Sequence, residues 1–189
     1  MSDVILLTGS PGSGKTTVAK LVATDAGRPT VHVTTDEFYR AIRTGFIAPY
    51  LPGSERQNEV VVDAIVAAVA AYTRGGYDVV VDGVIGPWFL PPFRQAAAAE
   101  QWTLSYVVLR PDLDTTLSRA QDRGTGELKD AAAITGLYGA FADLGDLEPH
   151  VIDTTHLDAS ATAAEVRHTV AAGTHRLSAG TTAPRSATS

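Results

Sequence analysis

Hydrophobic positions along the chain come in two alternating forms, short unbroken runs and longer stretches with a helical repeat. Residues 3–8 (Asp-Val-Ile-Leu-Leu-Thr) are almost continuously apolar, which predicts a strand buried on both faces. Val18, Leu21 and Val22 recur at helical spacing, so 15–26 reads as a helix that stops at Gly27. Residues 30–34 form a second strand, and a helix follows Asp36 and Glu37 as far as about Arg43. The stretch from Gly45 to Gly53 is a loop, and Ser54 is placed to cap a long helix over 55–74, in which Val61, Ile65 and Val69 repeat every four residues. Strands over 78–82, 104–109 and 150–153 then alternate with helices over 93–101, 112–123, 130–143 and 159–172. From 173 to 189 the composition turns to Ser, Thr, Ala, Gly and Pro without an apolar period, which predicts a disordered tail.

Regular strand–helix alternation implies an α/β fold with a parallel sheet covered by helices on both faces. No internal repeat or linker divides it, so residues 1–172 read as a single domain. In such folds ligands bind at the carboxyl ends of the strands, so the informative residues lie just after each strand.

After the first strand stands Gly9-Ser10-Pro11-Gly12-Ser13-Gly14-Lys15-Thr16-Thr17. This is the spacing of a P-loop, or Walker A motif. Its glycines allow several backbone N–H groups to close on a phosphate chain, and the helix that begins near Lys15 aims its positive end at the anion. Lys15 is expected to face solvent when no ligand is bound and to reach the outer phosphates. Thr16 is expected to ligate Mg²⁺, making ATP and Mg²⁺ the implied cofactors.

Asp36, after the second strand, is positioned either to accept the proton of an attacking hydroxyl or simply to cap the next helix. Asp82 closes Val79-Val80-Val81 in the manner of a Walker B carboxylate and is the second expected metal residue; the alternative is an Asp-Gly turn. Arg119 and Arg123 lie four apart on one helix face, beside a glycine break at 124–126. They read either as phosphate-binding arginines next to a lid over about 124–135, or as a solvated helix end. Tyr50 and Trp88, in proline-flanked loops, are candidates for stacking on a ring-bearing substrate. The five histidines show no metal-ligand spacing.

Composition narrows the partners. The 189-residue chain is 44% hydrophobic and 19% charged, with a net charge of −6, so the basic excess of a dedicated nucleic-acid binder is missing. It contains no cysteine, which excludes disulfides, thiolate metal sites and Cys nucleophiles. No apolar run is long enough to span a membrane, and the chain enters its first strand without a basic leader, so cytoplasmic residence is the expectation.

Taken together, Gly9 to Thr16, Asp36, Asp82-Gly83, Arg119-x-x-x-Arg123 and Asp153-Thr154-Thr155-His156 resemble the small P-loop kinases over roughly residues 3–172. These include shikimate, gluconate and adenylate kinases and chloramphenicol phosphotransferase. The resemblance implies a three-layer P-loop NTPase fold with a five-stranded parallel sheet of order 2-3-1-4-5. It also implies Asp36 as base, Arg119 and Arg123 as part of the lid, and Thr154 and Thr155 near the adenine; Lys15, Arg119 and Arg123 are the expected catalytic cations. The expected activity is ATP-dependent phosphorylation of a small-molecule hydroxyl. A nucleotide-hydrolysing regulator is the alternative, and a polynucleotide 5′-kinase is disfavoured by the acidic charge. Gly83 to Trp88 and Arg43 to Arg56 match none of these kinases in a way that names the acceptor.

Overall fold

The computed structural model describes residues 2–122 and 128–177. Five strands, β1 (Asp3–Thr8), β2 (Thr30–Thr34), β3 (Asp78–Asp82), β4 (Thr103–Leu109) and β5 (Val151–Ile152), form one parallel sheet of order β2-β3-β1-β4-β5. The unbroken apolar runs explain this arrangement, because both faces of each central strand are covered. On one face Leu7, Val80, Val107 and Ile152 pack under α1 (Lys15–Thr24) and α7 (Ala159–Ala172). On the other, Leu6, Val81, Tyr106 and Val108 meet α3 (Glu55–Arg74) and α4 (Leu90–Glu100), whose Ile65, Val69 and Phe93 fill the larger core. The result is a three-layer αβα domain.

The register aligns Leu7 and Thr34 with Asp82, and Thr8 with Val108. The ends of β1, β2, β3 and β4 therefore share one edge of the sheet, where α2 (Thr35–Arg40), α5 (Leu113–Gln121) and α6 (Ala131–Gly139) gather. No helix among the described residues is long and apolar enough to cross a membrane.

Local chemistry sets the helix starts. Asp112, Asp130 and Asp158 each accept the N–H three residues on, from Thr115, Ala133 and Ala161, at 2.7 Å. Ser54 occupies the expected cap position but does not cap α3; its hydroxyl donates instead to Pro49 O at 2.9 Å, closing the preceding loop. Helix α4 begins three residues before the predicted start because Pro91 and Pro92 fall in its first turn, where a missing N–H costs no helical bond.

The first residues of the predicted tail pair with the sheet. Tyr106 N–H donates to His175 O at 2.9 Å and Leu177 N–H donates to Leu104 O at 2.8 Å, with an antiparallel bridge between Ser105 and Arg176. The physical reason lies in β5, which pairs only with Val108 and Leu109 and leaves the first half of β4 as an open edge. Residues 175–177 satisfy that edge and bury Leu177. Residues 178–189 of the predicted tail, and Gly124 to Gly126 of the predicted lid hinge, lie outside the described residues.

Candidate active site

The P-loop runs from Gly9 to Gly14 and delivers the chain into α1 at Lys15. Gly12 has φ +92, and a Cβ there would lie 2.3 Å from Thr116 O, so the loop seats directly on the backbone of α5. Gly9, at φ +146, meets Leu109 O as closely. The loop is thus clamped between β4 and α5, and within it Ser13 N–H donates to Ser10 O at 3.1 Å. Ser13 Oγ within it is buried without a hydrogen-bond partner, the kind of orphaned donor that an oxygen-rich ligand satisfies. Lys15 departs from expectation. It is only 7% exposed, and its ammonium folds back to donate to Ser10 O at 3.3 Å.

Thr16 and Asp82, the two expected metal residues, lie side by side. The Thr16 hydroxyl donates to Asp82 Oδ2 at 2.6 Å, bringing α1 and β3 together at the mouth of the loop. Asp82 is 1% exposed and has a second partner that sequence reasoning missed: His32 Nε2, 2.6 Å from Oδ1. Burial pushes the Asp82 carboxyl up, but hydrogen bonds from His32 and Thr16 and the attraction of His32 outweigh it, so the net shift is downward. A signal for His32 was present in the alternation of Thr30-Val31-His32-Val33-Thr34, which puts His32 and Thr34 on the face opposite the two valines. The parallel register then sets His32 diagonally across from Asp82.

Asp36 is the second residue of α2, and Thr34 holds the cap position, without a side-chain cap bond. Asp36 therefore does not cap α2. It is exposed and lines a cavity of about 810 Å³ together with Lys15, Arg40, Arg43 and Asn58. Ile42, Phe46, Tyr50, Val84, Trp88 and Phe89 supply much of the remaining wall. Tyr39, also in this wall, has its phenol pushed up to about 12 by burial and by the negative charge of Asp36. Asn58 was not picked out from the sequence, since nothing distinguishes it from any polar residue in a helical first turn.

A second cavity, of about 370 Å³, runs along Gly12 to Val18 and is walled by Arg119, Leu157, Asp158 and Ala159. Arg119 donates to Thr154 O at 3.3 Å and Leu157 O at 3.2 Å, so its guanidinium is braced against the β5–α7 loop. Arg119 is therefore placed beside the P-loop on this side, away from the Asp36 cavity. Thr154 and Thr155, expected near a base, do not line either cavity. Thr154 is buried, and Thr155 ties two loops by donating to Asp153 Oδ1 at 2.6 Å and accepting from Asp112 N–H at 2.9 Å. The residues that do border the cavity, Leu157 to Ala159, follow three positions on. Arg123 lies outside the described residues. Among the described residues no three His, Cys, Asp or Glu side chains cluster as a metal cage.

A clamped P-loop, a Thr–Asp pair beside it and a sheet of order 2-3-1-4-5 define the fold of the P-loop kinases. The chain belongs to the AAA domain family AAA_18, whose model matches residues 5–137. Solved structures agree at the level of fold. The tunicamycin resistance protein of Deinococcus radiodurans superposes with a TM-score of 0.66 at 17% identity, covering 90% of this chain and 96% of that one. A sugar kinase from Janibacter sp. HTCC2649 gives 0.66 at 18% identity, covering 90% and 94%. A gluconokinase from Sinorhizobium meliloti gives 0.63 at 19% identity, covering 92% and 98%. A search of curated protein sequences returned no match.

Proposed function

We propose that this protein is an ATP- and Mg²⁺-dependent phosphotransferase that phosphorylates a hydroxyl group of a small molecule. One observation carries the reading: Lys15 lines both cavities. A phosphate chain lying along Gly12 to Thr17 would end at the boundary between them, with its γ-phosphate facing the larger cavity. A regulator that only hydrolyses nucleotide has no use for 810 Å³ beside its P-loop lysine, a volume in the range of small-molecule sites. That the solved structures of similar fold include proteins called a sugar kinase and a gluconokinase agrees with a small acceptor.

The placement of the residues supports the following roles. P-loop N–H groups and Lys15 hold the phosphates, and Arg119 with Leu157 to Ala159 borders the base. Thr16 and Asp82 present hard oxygen donors, with Asp82 kept ionised and oriented by His32; two protein oxygens completed by phosphates and water suit Mg²⁺. Such an ion, when bound, would neutralise charge on the transferring phosphate. Asp36 orients the acceptor hydroxyl and takes its proton as the oxygen bonds to the γ-phosphorus. The bond from that phosphorus to the β,γ-bridging oxygen breaks, leaving ADP and a phosphate monoester.

The test is a coupled assay of ADP formation over a library of hydroxyl-bearing metabolites and antibiotics, run with the native protein and with Lys15→Ala. Acceptor-dependent ADP release that falls by at least about a hundredfold in the variant is expected. Slow ATP hydrolysis that no acceptor stimulates would favour the regulator instead.

A further inference from the structure

The larger cavity has a chemical bias that narrows its occupant. We propose that it takes a flat, ring-bearing alcohol that also carries an N–H donor, and that it discriminates against polyols; this rests on the phosphotransferase reading above. Three observations converge. The first is the balance of the wall. Polar residues such as Asp36, Arg43 and the Arg40–Glu37 pair at 2.6 Å share it with a large aromatic and apolar face. A flat ring entering among Phe46, Tyr50, Val84, Trp88 and Phe89 would bury apolar surface that a polyol lacks.

The second is Trp88. It is 53% exposed, yet it is held in place. Its ring lies against Gly86, where a Cβ would come within 2.2 Å of the indole, and it contacts Phe89 and Phe141 at centroid distances of 6.0 and 6.3 Å. A large aromatic surface left bare but fixed is a preorganised stacking platform, since the entropy of immobilising it is lost before the ligand arrives. The third is Asn58, 8% exposed and part of the wall. Its amide nitrogen donates to Pro49 O at 2.9 Å and Ser54 Oγ at 3.1 Å, which fixes the side chain. Its Oδ1 is then left buried with no partner. Such an oxygen is an acceptor waiting for a donor, and a ligand that lacks an N–H or O–H at that point is penalised.

Calorimetry on the nucleotide-free protein tests this without relying on transfer. The ring-bearing probes are N-acetyl-L-phenylalaninol and thymidine, each with a flat ring, an N–H and a primary hydroxyl; the polyols are gluconate and sorbitol. At least one ring-bearing probe should bind about tenfold or more tightly than either polyol. Trp88→Ala should weaken it about tenfold, and so should Gly86→Ala, which keeps the indole but displaces it; at Gly86 the backbone (φ −74, ψ 171) admits alanine. The N-methylated probe, lacking the donor, should also bind more weakly to the native protein. Equal or tighter binding of a polyol, absence of binding by both ring-bearing probes, or indifference to both substitutions overturns the proposal. Transfer from ATP to gluconate or sorbitol but not to the ring-bearing alcohols would sink the acceptor class and leave the kinase reading standing. Binding of a ring-bearing probe with no transfer to any alcohol would do the reverse.

Discussion

At the scale of single residues, the site turns on which carboxylates are tied and which are not. Asp82 is buried and doubly hydrogen-bonded, whereas Asp36 is exposed in the wall of the larger cavity. That contrast suits a fixed metal residue and an adaptable base. Because α2 begins at Thr35 and Asp36 caps nothing, Asp36→Asn should leave stability and nucleotide affinity within a few-fold of native. It should lower kcat by about 10²–10⁴-fold, the usual contribution of a positioned general base. Steady-state kinetics with an identified acceptor, beside nucleotide titration, checks both halves; near-native kcat would remove Asp36 from the chemistry. The P-loop, Asp36 and Asp82 could be picked out from sequence because each stands directly after an apolar strand. The alternation of β2 gives only the face of His32, and nothing marks Asn58, since their roles depend on partners 50 and 9 residues away, Asp82 and Pro49.

Among the elements, the segment between α6 and β5 is tied to the end of β4 by one ion pair. Arg110, the first residue after β4, forms a two-pronged pair with Glu148 at 2.9 and 2.8 Å and also donates to Phe141 O and Ala142 O. Glu148 in turn accepts Leu144 N–H at 2.9 Å. Its hydrogen bond from Arg110, then that from Leu144, brings the Glu148 carboxyl down to about 2. A depressed carboxylate adds stability that is complete above the ordinary glutamate value near 4.5 and is lost as pH falls toward 2. Glu148→Gln should therefore unfold at a lower urea midpoint than native at pH 6, and the gap should shrink by more than half at pH 2.5. A gap independent of pH would mean that the charge on Glu148 does not matter. Element order and type followed from periodicity; helix ends did not always, as the early start of α4 and the uncapped Ser54 show.

For the whole molecule, the C-terminal stretch is the clearest case of tertiary context overriding composition. Leu177 is buried against the larger core although its neighbours in sequence are polar or small. Leu177→Ala should cost about 2–3 kcal/mol, as for other buried leucines, and lower Tm by about 5–10 °C in a domain of this size. Thermal unfolding followed by circular dichroism checks it; an unchanged Tm would mean that residues 175–177 do not close the β4 edge. The fold class needed only local information, because a strand buried on both faces must be continuously apolar and a P-loop must carry glycines and Lys15 in fixed spacing. Strand order, implied by resemblance to the small kinases, rests on contacts between segments far apart in the chain. The same holds for the pairing of Thr16 and His32 with Asp82, the brace on Arg119, and the aromatic wall opposite Asn58. These are contacts that a local pattern cannot encode: each side chain has a generic local reading, and only the packing of the sheet ends decides what stands across from it.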